Sequence, residues 1–174
     1  METNRTPHYL ASDNPTGCCP RFDPAGWDGQ HLHFEDKLFA RAKTHSLFHI
    51  PMDMGAVFGR TQAAIEAGQA QDIDQFIVLS HELSPWSAEH LFAVDRVVPG
   101  VEMTRLSGDF ATRVFDGPCA EAPKGIAEVR SDLAARGEEA SEVYFFYTTC
   151  PKCAKAYGHN YVVGVARLAE ARAS

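Results

Sequence analysis

The stretch Tyr144-Phe145-Phe146-Tyr147-Thr148-Thr149-Cys150-Pro151-Lys152-Cys153 joins an aromatic run to a Cys-x-x-Cys motif near the C-terminus. Four consecutive aromatic residues predict a buried β-strand that ends at the thiols. A second thiol pair, Cys18-Cys19, lies in a turn-like segment far upstream. Four of the five cysteines therefore fall into two short clusters. Thiols at this spacing bind a metal, exchange a disulfide or only pack.

The composition indicates one globular domain without a nucleic-acid partner. The chain has 174 residues, of which 45% are hydrophobic and 22% charged, and this length buries enough surface to fold without disulfides. A formal net charge of −7 argues against binding to a phosphate backbone. We find neither a secretory signal nor an apolar run of about 18 residues. We therefore expect a cytoplasmic protein that does not enter a membrane, and leave its oligomeric state open.

Turn-forming sequence sets residues 1–30 apart from the remainder. Asn14-Pro15-Thr16-Gly17 and Asp23-Pro24-Ala25-Gly26 are typical turn sequences. Alternation of apolar and polar residues begins only at His31. We predict an irregular N-terminal extension over residues 1–30 and a single folded domain over residues 31–174.

The domain shows weak internal repetition. One helix is predicted from the N-cap Asp53 to Gly68, and a second over 122–133, ended by Gly137. Asp36-Lys37 and Ser107-Gly108-Asp109 are interpreted as turns between strands. Strands are predicted within 31–34, 47–50, 76–79, 89–98, 103–106, 110–115, 143–147 and 161–166, with a helical tail over 165–173. The pattern predicts an α+β fold of two pseudo-symmetric strand–helix–strand–strand modules, with a ligand cleft between them.

The sequence Val101-Glu102-Met103-Thr104-Arg105-Leu106-Ser107-Gly108-Asp109-Phe110-Ala111-Thr112-Arg113-Val114-Phe115-Asp116-Gly117-Pro118 resembles a known signature. It is similar to that of gyrase-inhibitor-like (GyrI-like) small-molecule-binding domains: a strand, a glycine turn, a strand, and Gly-Pro before a helix. The resemblance covers about residues 43–148. The Cys-Cys and Cys-x-x-Cys motifs resemble those of a subgroup of short bacterial proteins labelled as hydrolases. The resemblance implies two modules around a ligand cleft, with activities from gyrase inhibition and drug sensing to hydrolysis of strained electrophiles.

The thiols lead to a metal hypothesis. A Cys-x-x-Cys turn directs two sulfurs at one tetrahedral ion, and a second pair of ligands is then needed. We hypothesise a zinc site formed by Cys18, Cys19, Cys150 and Cys153 that ties the extension to the C-terminal strand. His159, His31 or His33 could complete the set. The alternative is that the cysteines bind no metal and are reduced thiols packed in turns.

Redox chemistry is a second interpretation of the same motif. The strand that runs into Cys150-Pro151-Lys152-Cys153 is locally similar to the active site of glutaredoxins. A thiolate at a helix N-terminus has a lowered pKa and is reactive. The glutaredoxin fold, however, needs a long stretch after the motif to complete its sheet, and only residues 154–174 follow. Gly158-His159-Asn160 also ends any helix there within two turns.

Glu89 is the best candidate for a catalytic carboxylate. It lies near His81, Glu82 and His90, and we expect Trp86 and Phe92 to desolvate it and raise its pKa towards that of a general base. His81 follows a predicted strand at the expected rim of the cleft. An exposed glutamate at the start of a strand is the alternative. We therefore predict Glu89 and His81 as catalytic residues.

Aromatic residues are the candidates for holding a ligand. Most belong to a core, but alternate residues of a strand face opposite sides, so one face of the aromatic strand could line the cleft. The predicted ligand-binding residues are Trp86, Phe92, Phe110, Tyr144 and Phe146. The sequence thus predicts a small-molecule-binding protein and a hydrolase of a small organic electrophile. The alternatives are a ligand-binding or gyrase-interacting protein with a structural metal, and a thiol redox protein.

Overall fold

The computed structural model describes residues 1–170. In this part of the chain, seven strands and three α-helices follow one another. They are β1 (His31–Leu47), β2 (Ile50–Pro51), α1 (Met54–Ala67), β3 (Val78–Ser84), β4 (Ser87–Ala93), β5 (Glu102–Asp116), α2 (Ala122–Ala135), β6 (Ala140–Tyr147), α3 (Pro151–Tyr157) and β7 (Tyr161–Leu168). Residues 1–30 form turns and a single bridge, between Thr3 and His33.

Six of the strands close into an antiparallel barrel. Their order is β1-β4-β3-β6-β7-β5, and β5 pairs back with β1 to complete the ring. The two-residue β2 adds to the end of β1 as a hairpin. Closure pairs both edges of the sheet, so it removes the exposed edges that would otherwise promote association.

The predicted α+β fold of two GyrI-like modules is wrong, because two sequences interpreted as turns lie inside continuous strands. The register between β1 and β5 shifts between Phe34 and Lys37. Asp36 and Gly108 have positive φ angles of 49° and 125°, and Asp36 N–H donates to Ser107 Oγ at 2.9 Å. The turn-forming residues therefore form a bulge that bends two long strands, which barrel closure requires.

The two predicted long helices are confirmed, and they pack on the outside of the barrel. On α1, the ring of Phe58 lies 4.7 Å from that of His90 and 5.0 Å from that of Phe92. On α2, Val129 belongs to a second apolar cluster with β6 and β7. Gly164 allows this close approach, because a Cβ there would lie 3.1 Å from Val129 Cγ2. The apparent repeat is thus one helix on each of two sides of a single barrel.

The structure differs from the prediction at the start of α1 and at the end of β7. Asp53 precedes α1, but its carboxylate accepts hydrogen bonds from the backbone N–H and ring of His45 rather than capping the helix. The strand at 161–166 continues to Leu168, so the helix predicted over 165–173 is wrong where it overlaps β7. Residues 171–173 of that prediction lie outside the described residues.

The N-terminal extension closes one end of the barrel, here called the plugged end. The fully buried Trp27 places its ring 5.5 Å from that of Phe146, and Phe22 and Tyr9 each lie 6.2 Å from the same ring. Trp27 Nε1–H donates to the carbonyl of His8 at 3.1 Å. The interior below is apolar, and its inward residues include Phe39, Leu79, Leu91, Phe110 and Val163.

Among the described residues, no helix combines the length and the apolar character needed to cross a bilayer.

Candidate functional site

The four cysteines of the two sequence clusters meet beside the plugged end of the barrel. Cys18 and Cys19 come from the extension, and Cys150 and Cys153 from the start of α3. Their sulfur atoms all lie within 4.8 Å of one another. Cys18 Sγ and Cys19 Sγ are 3.8 Å apart, far beyond the length of a disulfide bond, and all five cysteines of the chain are free.

The local sequence explains how α3 presents its two thiols. Pro151 occupies the first turn of the helix, where its missing N–H costs nothing. Gly158 ends the helix with a φ of 76°, a conformation that glycine adopts without strain. Cys150 is the N-cap and Cys153 lies one turn further on, so both sulfurs project towards the same side.

Hydrogen bonds fix the extension against this helix. Cys150 N–H donates to Cys19 Sγ at 3.4 Å. The hydroxyl of Thr16 lies 3.3 Å from Cys153 Sγ, and the hydroxyl of Tyr157 donates to the carbonyl of Cys19 at 2.6 Å. The sulfurs are thus held by polar contacts from both segments.

The thiols differ in acidity. The hydrogen bond from Thr16 lowers the pKa of Cys153 to about 6. Burial raises the pKa of Cys19 to about 12. Four neighbouring thiolates repel one another, so a full set of ionised sulfurs requires a cation between them.

The four sulfurs could hold a metal ion, and their chemistry suits a tetrahedral site such as that of zinc. Zn–S bonds of about 2.3 Å place neighbouring sulfurs roughly 3.8 Å apart, and the Cys18–Cys19 separation is 3.8 Å. A Cys₄ set leaves no open position, which is the mark of a structural site. Histidines are not needed to complete it: His159 pairs with Asp116 at 2.7 Å and His33 with Asp109 at 2.7 Å.

A second cluster of polar residues lies at the opposite end of the barrel. Glu89 on β4 is directly opposite His81 on β3. Arg41 Nε–H donates to Glu89 Oε2 at 2.7 Å, and a second nitrogen of Arg41 donates to Glu102 Oε1 at 2.9 Å. The side chain of Glu89 is only 13% exposed. A largely buried carboxylate is therefore held in place by an arginine from the neighbouring strand.

Register places this cluster on the inner face of the barrel. Arg41 pairs with Leu91, and Leu91 pairs with the fully buried Leu79. Cross-strand partners share a face, and so do residues two apart along a strand. Glu89 and His81 therefore lie on the inner face of the barrel. Each is two residues along its strand from a buried leucine of the apolar interior, Leu91 or Leu79.

His81 has an unusual environment. Its Nδ1 lies 3.5 Å from Glu89 Oε1, and it is buried without a hydrogen-bond partner among the described residues. The ring of Tyr144 lies 5.2 Å away. The hydroxyl of Tyr144 donates to Glu142 Oε2 at 3.0 Å, and burial raises the pKa of that hydroxyl.

The structure separates the other predicted ligand-binding residues. Trp86 is 52% exposed and packs on Phe48, with ring centroids 4.9 Å apart. Phe92 faces α1, on the side of β4 away from Glu89. Phe110 and Phe146 are buried in the interior. Of the five aromatic residues predicted to hold a ligand, only Tyr144 lies beside His81.

Two residues of these clusters, Arg41 and Thr16, were not predicted from the sequence. Arg41 stands between alanines within a strand, and a lone charge at an inward position of such a strand is a usable signal. Thr16 precedes the Cys18-Cys19 pair by two residues, and only the folded chain brings its hydroxyl to Cys153.

Comparison with known proteins places the chain in a family. Residues 9–168 match the family model described as "Bacterial hydrolase", so the chain belongs to the bacterial hydrolase family. No curated protein matches it significantly.

The fold is shared with solved structures, of which one aligns with most of this chain. It is described as an uncharacterized conserved protein from Listeria innocua, with a TM-score of 0.58 and 11% sequence identity. The match covers 82% of this chain and 92% of the other. At this identity the likeness concerns the fold alone.

Proposed function

We propose that this chain is a hydrolase of a small organic molecule whose N-terminal extension is held in place by a structural zinc ion. Membership of the bacterial hydrolase family supports the reaction class. The convergence of four sulfurs within 4.8 Å supports the metal. Zinc bound by Cys18, Cys19, Cys150 and Cys153 would cross-link two distant segments rather than take part in the reaction.

The observation that carries the catalytic part is the contact of one largely buried carboxylate with both an arginine and a histidine. Glu89 touches Arg41 and His81 on the inner face of the barrel. A base oriented by a second group, which is itself fixed, is the arrangement that activates nucleophiles in many hydrolases. The separation of 3.5 Å between His81 and Glu89 is acceptable, since catalytic hydrogen bonds tighten on substrate binding.

The chemistry follows from these contacts. When substrate binding shortens this contact, Glu89 accepts a hydrogen bond from Nδ1–H of His81, which leaves Nε2 as the basic nitrogen. His81 Nε2 removes a proton from water while the water oxygen bonds to the carbonyl carbon of an ester. The bond from that carbon to the leaving oxygen then breaks, and His81 returns the proton to the leaving oxygen. An acid and an alcohol are released, and Arg41 maintains the orientation of Glu89.

The experiment compares two glutamates that share Arg41. A panel of esters and strained electrophiles is assayed with the wild type, Glu89→Gln, His81→Gln and Glu102→Gln. We expect Glu89→Gln and His81→Gln to lower kcat/KM by about 10²-fold or more. Glu102→Gln retains most activity, because Glu102 contacts Arg41 but not His81. Full activity in Glu89→Gln rejects the assignment.

Turnover also separates the enzyme from a non-catalytic ligand-binding protein. If the wild type binds a panel member saturably and leaves it chemically unchanged, the result favours the ligand-binding protein.

A further inference from the structure

A cleft of about 310 Å³ lies beside the plugged end, on the far side of the barrel interior from Glu89. Its walls come from the N-terminal extension, from α3 and from the start of β7. The aromatic part of the wall is formed by Phe22, Tyr157 and Tyr161. A cleft of this size accommodates a ligand about as large as a substituted benzene ring.

Arg21 provides a cation on the wall of the cleft. Its guanidinium lies 5.3 Å from the centre of the Tyr157 ring. One nitrogen is 3.7 Å from Asp13 Oδ2, a separation beyond hydrogen-bond distance. A stacked guanidinium with such a loose ion pair keeps its edge N–H donors available, and that edge matches the two oxygens of a carboxylate.

Tyr161, which also lines the cleft, is held by its neighbours. The ring of Tyr161 stacks on that of His159, with centroids 5.0 Å apart and planes at 12°. Asp116 Oδ2 lies 2.7 Å from His159 Nδ1 and fixes the imidazole. The ring of Phe22 lies 5.9 Å from that of Tyr161, with the two planes at 52°. These contacts hold Tyr161 in place, and the aromatic side chains of the wall offer apolar surface to a ligand ring.

A further polar residue lies on the wall of the cleft. Thr149 lines it, and the hydroxyl of Thr149 is buried without a hydrogen-bond partner among the described residues.

We propose that this cleft binds a small aromatic carboxylate. The carboxylate pairs with the edge of Arg21 and displaces Asp13, while the ring packs against the aromatic side chains that line the cleft. Asp23 also lines the cleft, and its Oδ1 already accepts the backbone N–H of Ala25 at 2.9 Å. The inference does not depend on hydrolysis at Glu89.

The cysteine cluster and the cleft depend on some of the same residues. Tyr157 is part of the wall, and its hydroxyl donates to the carbonyl of Cys19. Thr149 directly precedes Cys150. A metal that holds the four cysteines therefore also holds two sides of the cleft, so loss of the metal is expected to weaken binding.

Binding is tested by calorimetry and by NMR titration of the full chain, with three probes of similar shape. Benzoate carries the carboxylate, benzamide is uncharged, and benzamidine is cationic. We expect benzoate to bind at least about 10-fold more tightly than benzamide or benzamidine, because only benzoate forms the charged pair with Arg21. Comparable or tighter binding of benzamide or benzamidine overturns the proposal.

Variants locate the site. Arg21→Gln is expected to weaken benzoate binding by about 10-fold or more. The matched control is Arg113→Gln, which removes another exposed arginine paired with an aspartate, Asp132, away from the cleft. Thermal unfolding of each variant verifies folding. Unchanged binding in Arg21→Gln, or an equal loss in Arg113→Gln, contradicts the proposal whether or not the chain shows hydrolase activity.

Discussion

Cys150 N–H donates to Cys19 Sγ at 3.4 Å, and this contact joins residues 131 positions apart in the sequence. It links an irregular extension to the first turn of α3. Because the same extension supplies the plug, the cysteine cluster holds both the plug at one end of the barrel and a wall of the cleft beside it.

The first prediction concerns the metal. Protein purified without chelators is expected to contain about one zinc ion per chain. Cys153→Ser removes a ligand, so it should lose the metal and lower Tm by several degrees, since structural zinc binding contributes directly to folding. Elemental analysis and thermal unfolding measure both effects. Cys119→Ser is the control, because Cys119 is exposed and lies outside the cluster. A wild type without stoichiometric zinc or iron would rule out the metal site.

The second prediction concerns the plug. Trp27→Ala should lower the free energy of unfolding by about 3–5 kcal/mol, because it leaves a cavity against Phe146 and removes a fully buried indole. Trp86→Ala is the comparison, since Trp86 is half exposed and mainly contacts Phe48. Its cost should be near 1 kcal/mol. Denaturant unfolding gives both values, and similar losses in the two variants would contradict this account of the plug.

The third prediction follows from a buried histidine. His90 lies between the hydroxyls of Thr44 at 2.9 Å and Ser80 at 2.8 Å, and burial lowers its pKa to about 4. Its pKa in the unfolded chain is about 6.5. As pH falls below 6.5 the unfolded chain takes up the proton first. The contribution of His90 is therefore complete above that pH and is lost towards pH 4, by roughly 3 kcal/mol in total.

Chemical unfolding at pH 7, 6, 5 and 4 tests this dependence. His90→Gln is expected to be less stable at pH 7 but to show a shallower decline on acidification. His8→Gln is the control, because it removes an exposed imidazole that takes no part in the contacts of His90 with Thr44 and Ser80. If the stability of His90→Gln fell with decreasing pH as steeply as that of the wild type, the acid sensitivity would come from groups other than His90.

The fourth prediction concerns the backbone after each long helix. Gln69 follows α1 with a φ of 50°, whereas Gly137 follows α2 with a φ of 75°. Gln69→Gly should raise the free energy of unfolding by up to about 1 kcal/mol, because glycine adopts this conformation without strain. Gly137→Ala should lower it by a similar amount, although nothing within 4 Å obstructs the new Cβ. Opposite signs in thermal unfolding are the expected result.

Local features of this protein could be predicted from the sequence. The helices α1 and α2 follow from apolar spacing and terminal glycines, and the strand at Tyr144–Tyr147 from its aromatic run. The pairing of two thiol clusters at one site was also predictable, since a Cys-x-x-Cys turn lacks two ligands and one other pair exists. These signals depend on residues close together in the sequence.

The sequence by itself determined the two long helices, the aromatic strand and the four cysteines that meet in the cluster. Only the tertiary structure decided that β1 and β5 continue through their turn-like residues and close one barrel. A bulge and a turn have the same local preferences, and the choice between them depends on strand pairing across the whole sheet. For the same reason, the contact of Arg41 with Glu89 and of Arg21 with Tyr157 is visible only in the folded chain, because each joins segments that local sequence does not relate.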